Sequence, residues 1–251
     1  MDNLIVGMDG HIPIGGRTPW HDTYETEKAP LGTRKFLSDG SVFKFMRNGA
    51  TALDNNVLLQ NADSADDHAV NLAVAAAAVG TKSVTVTNGA TTAITANMYK
   101  GGKLQVNDAG AATTTEGYEY YIDSHPAAAT GATCVITLRD ELQIALTTAS
   151  QVALIKSPYD AVIVNPTTAT GYPVGVSRVV VAASYYFWCQ TWGPVSCLIA
   201  GTPAIGTGLT YGTTAGALNI MATDGQIAPI AIIQETGVSG EYKEVWLMIS
   251  P

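Results

Sequence analysis

Residues 183–200 read ASYYFWCQTWGPVSCLIA, and the fold turns on how this run is parsed. Taken with a period of two, one face carries Tyr186, Trp188, Gln190 and Trp192. The other carries Tyr185, Phe187, Cys189 and Thr191. Aromatic and β-branched side chains suit a pleated, packed surface, so the run is a strand. Gly193-Pro194 then interrupts it, which predicts two strands joined by a turn. Both faces are apolar, so a sheet with one wet side would leave large rings in water. The strand is therefore expected to be covered on both sides, by its own domain or by a second subunit. Tyr185, Phe187, Trp188 and Trp192 are accordingly expected either in the core or at an oligomer interface.

Outward from this run the same grammar repeats. Short alternating segments lie at 41–47 (SVFKFMR), 81–87 (TKSVTVT), 103–107 (KLQVN), 117–123 (GYEYYID) and 132–139 (ATCVITLR). Others lie at 151–155, 161–164, 175–183, 218–222, 227–236 and 242–249, the last an apolar strand expected to zip into a sheet. Each is bounded by Gly, Asn, Asp or Pro. Strands at roughly ten-residue spacing predict an all-β chain of antiparallel β-sandwich or small-barrel modules. Residues 69–80 (AVNLAVAAAAVG) are alanine-rich enough for a short helix. They lack a cap and run straight into a strand, so strand, kink and strand is the reading kept. Residues 61–68 (NADSADDH) form a polar loop without the glycine and closing glutamate of an EF-hand. The uncharged, Gly- and Thr-rich stretch 201–216 reads as a loop.

Residues 1–40 behave differently. Prolines at 13, 19 and 30 and the glycine pair at 15–16 deny them any sustained period. Yet Ile12, Ile14, Trp20, Tyr24, Leu31 and Phe36 recur as apolar anchors, which a free linker lacks. They read as an extended N-terminal arm that docks on a neighbour; a free tail, or a strand completing the chain's own sheet, are the alternatives. The expected organisation is thus an arm over 1–40, a first β module over 41–156 and a second over 157–251, or one continuous β domain over 41–251.

The totals narrow the function. Only 14% of residues are charged and 47% are hydrophobic, with a net charge of −8. Residues 1–50 hold six basic and six acidic side chains, so the whole acidic excess lies in 51–251. Such a body has no basic stripe to displace counterions from phosphates, and direct nucleic-acid binding is not expected. No apolar run approaches the length of a membrane span, so no membrane partner is expected. The opening MDNLIVGMDG lacks the marks of a secretory signal, so synthesis in the cytoplasm is expected. Cys134, Cys189 and Cys197 have no CxxC spacing, and reduced thiols are expected, although Cys189 and Cys197 flank the predicted turn.

Chemistry is hard to find. His11, His21, His68 and His125 show no metal-pair spacing, and neither a metal nor another cofactor is expected. Asp123-Ser124-His125 sets three triad residue types in a row, but successive residues point in different directions. Gly175-Val176-Ser177-Arg178-Val179 fails as a nucleophile elbow at its last position. Gly101-Gly102-Lys103 lacks the upstream glycine and downstream hydroxyl of a phosphate loop. No catalytic residue is assigned, and a non-enzymatic role is expected.

Several phrases together carry a resemblance. They are 30–43 (PLGTRKFLSDGSVF), 48–53 (NGATAL), 73–87 (AVAAAAVGTKSVTVT), 99–107 (YKGGKLQVN) and 185–194 (YYFWCQTWGP). In phrase and order the chain resembles the decoration, or cement, proteins of tailed-bacteriophage heads; the first 30 residues carry least of it. The resemblance implies a β-rich, commonly trimeric virion protein on the capsid exterior. It would bridge neighbouring major capsid protein subunits and stabilise the DNA-filled head. Its partners would be the major capsid protein and further copies of itself, with the arm lying on the capsid or on a sister subunit. Two other readings stand beside it. One is a head-fibre or tail-associated protein of the same β modules. The other is a carbohydrate-binding module with Trp188 or Trp192 as an exposed sugar platform.

Overall fold

A computed structural model describes residues 21–108, 116–221 and 228–251. The chain is all-β, with no α-helix among the described residues. It divides into two compact units: Met1–Ala62 with Pro158–Pro251, and Asp63–Ser157, which is inserted between those two segments. The first unit opens with β1 (Thr23–Tyr24), β2 (Arg34–Phe36), β3 (Val42–Arg47) and β4 (Leu58–Gln60). The second unit holds β5 (Leu72–Ala73), β6 (Ser83–Thr87), β7 (Lys103–Asp108), β8 (Glu119–Ser124), β9 (Thr133–Leu138) and β10 (Gln151–Ile155). The chain returns to the first unit with β11 (Ile163–Val164), β12 (Pro173–Val176), β13 (Tyr186–Ala200), β14 (Gly208–Tyr211), β15 (Leu218–Ile220), β16 (Ala231–Ile233) and β17 (Tyr242–Met248).

This division corrects the expected modules. The boundary after residue 156 falls within a residue of the observed one, but 41–62 belongs with 158–251. The reason is pairing: β3 lies along β13, and β4 along β11 and β12. Sequence proximity gave no hint of partners more than 100 residues away.

The inserted unit is a six-stranded ring in the order β5-β10-β7-β8-β9-β6, antiparallel throughout. A bridge between Val74 and Val86 joins its two ends. The strand alternation seen in the sequence fills it: Val84, Val86, Leu104, Val106, Ile122, Cys134, Ile136, Val152 and Leu154 all point into one core. Residues 69–80 form no helix; they supply β5 and isolated bridges at Val74 and Ala77.

The outer unit is organised on β13. This is one strand of 15 residues, not two strands and a turn. Along its first half it pairs with β3, from Tyr186↔Arg47 to Trp192↔Val42. Along its second half it pairs with β17, from Trp192↔Met248 to Leu198↔Tyr242. Beyond β17 the order β13-β15-β14-β16-β17 returns to β13 and closes a second ring. One short pairing in it, β13 with β15, is parallel. Its interior is Val195, Cys197, Ile199, Leu209, Leu218, Ala231, Ile233, Val245 and Leu247, so every strand of the ring contributes.

Gly193-Pro194 fails to stop the strand for identifiable reasons. Gly193 sits at φ +91°, a backbone conformation open to glycine. The ladder to β3 slips between Gln190 and Trp192, a bulge that redirects the strand. The fully buried Gln190 side chain then repairs the break. Its Nε2 donates to the carbonyls of Trp192 (3.0 Å) and Pro194 (2.8 Å), and its Oε1 accepts from Arg178 Nη1 at 2.9 Å. Two further expectations are corrected. The stretch 201–216 contains β14, and the segment at 175–183 is a strand only as far as Val176.

Candidate functional site

The aromatic half of β13 shows first what it does not offer. Phe187 and Cys189 enter a core with Met46, Leu53, Leu59 and Val181. On the other face Trp188 joins Phe43 and Phe45. Phe45 lies 5.1 Å from Trp188 and 5.8 Å from Tyr186 between ring centroids. Residues 21–40 close over this cluster: Tyr24, Ala29, Leu31 and Leu37 pack against it. Lys35 lays its ammonium 4.0 Å from the centre of the Trp188 ring. Burial lowers the Lys35 pKa, and Asp22 partly opposes the shift.

Each residue singled out in the sequence now has a place. Phe187 and Trp188, 0% and 3% exposed, are core residues of the outer unit, and Trp188 has no free face for a sugar. Tyr185 is half-buried and its hydroxyl donates to Glu25 Oε1 at 2.7 Å, a bond that raises the phenol pKa. Trp192 is half-buried opposite Met248. Tyr24 pairs with Tyr186 through β1, and Leu31 packs against the same Phe43–Phe45–Trp188 cluster, so over residues 21–40 the extended arm docks on its own sheet. Phe36 is 38% exposed, with the Arg34 guanidinium 5.6 Å from its ring centre. Ile12, Ile14 and Trp20 lie outside the described residues.

The surface that sequence reasoning missed is the outside of the second ring. Val245 and Leu247 point inward, so their neighbours Trp246 and Met248 point outward. Directly paired residues share a face. Ile232, Trp246 and Pro194 therefore stand in one row across β16, β17 and β13. Trp192 and Met248 form the next pair along, and Tyr242 with Leu198 a further one. Ile232 and Tyr242 are 37% and 46% exposed, and the other five are half-buried. The signal was present in YKEVWLMI, whose alternation puts Trp246 opposite its core residues. Its partner row on β13 runs through Gly193-Pro194, a step that taken locally signals a turn.

The buried polar groups serve the fold. Arg47 makes a two-pronged pair with Asp160, Nη2 to Oδ2 at 2.9 Å. Lys44, 7% exposed, donates to Tyr159 Oη and Ser250 Oγ at 3.2 and 2.5 Å. The three cysteines are free and buried. Cys189 and Cys197 lie on one strand eight residues apart, about 26 Å at ~3.3 Å per residue, too far to bridge. Burial pushes both thiols up, Cys197 to about 12. Of Asp123-Ser124-His125, Asp123 is exposed while His125 turns into the core, since the ladder slips between Ile122 and Ser124 and β8 ends at Ser124. Among the described residues no three His, Cys, Asp or Glu side chains gather as a metal site. No helix among them is long and apolar enough to cross a membrane. No protein-family model, no curated protein and no solved structure matches the chain.

Proposed function

We propose that this chain is a decoration protein of a tailed-bacteriophage head, acting by adhesion to the capsid exterior. It bridges neighbouring major capsid protein subunits and reinforces the DNA-filled head, most simply as a homotrimer. The observation that carries the reading is the outward row of Ile232, Trp246 and Pro194, extended by Trp192 and Met248. A rigidly paired sheet face with a central indole, whose apolar row ends at the Glu244–Ser196 pair, suits attachment to a flat protein lattice. Interfaces draw most of their energy from a few such aromatic anchors. Several copies bound together then gain avidity without strong single contacts.

The test is co-sedimentation with heads assembled from the cognate major capsid protein. Trp246→Ala combined with Ile232→Ser is expected to weaken binding about tenfold or more, with circular dichroism unchanged. Light scattering on the free protein is expected to give the mass of a trimer. A monomer that binds heads equally well with and without these side chains would reject both the surface and the assembly. A handful of copies per particle, instead of hundreds, would favour a fibre or tail component.

A further inference from the structure

The inserted unit contains a buried polar knot that the proposed adhesive role does not use. Tyr99, fully buried, sits between His68 and His125, which are 0% and 4% exposed. The hydrogen bonds fix both imidazole tautomers. His125 Nδ1 lies 2.9 Å from the Pro126 carbonyl, which can only accept, so Nδ1 carries the proton. Its Nε2 is then bare and accepts the Tyr99 backbone N–H at 2.9 Å. His68 Nε2 faces the Thr92 carbonyl at 2.9 Å and carries its proton there. Its Nδ1 accepts the Tyr99 hydroxyl at 2.6 Å.

Three loops meet here. The segment 92–99 is held to the 65–68 loop through His68 and to the 125–129 loop through His125 and the Ile94–Ala128 bridge. Ile94 and Tyr99 from this segment belong to the core of the ring.

The two histidines face different partners. The hydroxyl opposite His68 Nδ1 can rotate to present its oxygen, and the Asp67 carboxylate lies 3.8 Å from its Nε2. A second proton on His125 would point at an amide N–H, which cannot turn away. The ionisable groups around His125 are Tyr99, His68 and Asp67 beyond it, Asp63 acting on the Tyr99 ring, and Cys134, whose thiol donates to the same Pro126 carbonyl at 3.5 Å. Asp67 is turned toward His68 and the 91–92 amides.

We propose that His125 is an acid-release latch, whose protonation at Nε2 expels the Tyr99 amide and frees the 92–99 segment from its end of the ring. Burial depresses the His125 pKa in the folded unit. Stability is therefore full above the unfolded-state value of about 6.5, where both states are neutral. It falls as pH drops through that value, because the unfolded or opened state takes up the proton first.

Amide hydrogen exchange on the full chain between pH 7.5 and 5, corrected for intrinsic rates, tests this. Protection at Ile94 and Tyr99 is expected to fall by up to about tenfold per pH unit below about 6.5. Val245 and Leu247 in the outer unit should keep theirs. His125→Gln keeps an acceptor without titrating, and should flatten the response. Equal acid sensitivity in that variant, or parallel loss in the outer unit, overturns the latch. Nitrogen-15 spectra of the wild-type histidines provide a check that needs no variant. His125 protonated on Nδ1 alone at pH 7.5 is expected, and a proton on Nε2 at that pH rejects the proposal.

Discussion

Gln190 shows how one side chain can decide the path of a backbone. Its amide satisfies two carbonyls at the point where β13 slips against β3, and its oxygen accepts a hydrogen bond from Arg178. Gln190→Leu keeps the volume but leaves those groups without their partner at a part-buried site. A loss of about 2–4 kcal/mol is expected, read as a lower urea midpoint at constant m-value. The sequence displayed Gln190 as a polar residue among aromatics, and nothing in its neighbours disclosed a bulge to be mended. The cysteines give a second test at this scale. Thiolate is the reactive form, and burial pushes all three thiols above their ordinary range. Native protein is expected to leave a disulfide reagent such as DTNB unreacted, and unfolded protein to yield three thiols. Fast native labelling would contradict their burial.

At the scale of the element, β13 links three hydrophobic clusters, because each draws side chains from it. Its continuity depends on Gly193. A Cβ there would lie 2.9 Å from Ser41 Cα and 3.1 Å from the Gly40 carbonyl, both backbone atoms with little room to yield. Gly193→Ala also forces a side chain into the left-handed region, and a loss of at least about 2 kcal/mol is expected by thermal or urea unfolding. Pro194, by contrast, costs the ladder little, since a strand tolerates a proline wherever no N–H is required of it. The pairing of Thr23–Tyr24 with β13 belongs to this scale as well. Two residues are too few to show a period, so the docking of 21–40 on its own sheet had no legible signal beyond its spaced apolar anchors.

At the scale of the molecule, the insertion predicts autonomy. Residues 63–157 close their own ring around a core to which all six strands contribute. A fragment Asp63–Ser157 is therefore expected to fold alone, giving a dispersed amide spectrum and cooperative unfolding. A collapsed or disordered fragment would show that the ring needs the outer unit. The rest of the outer unit is joined across the insertion, where β3 and β4 pair with β11, β12 and β13.

The all-β class, most strand positions and the inward rows of the inserted ring follow from the sequence alone. Alternation with period two, broken by turn residues, is a local property and survives any change of partner. Partner choice is not local. That β3 and β17 share one long strand, that a glycine–proline step is carried through, and that Trp246, Ile232 and Pro194 line up into one surface were decided only when distant segments paired. Those pairings rest on ladder register and on a buried amide's need for acceptors, and neither is written in the spacing of any one segment.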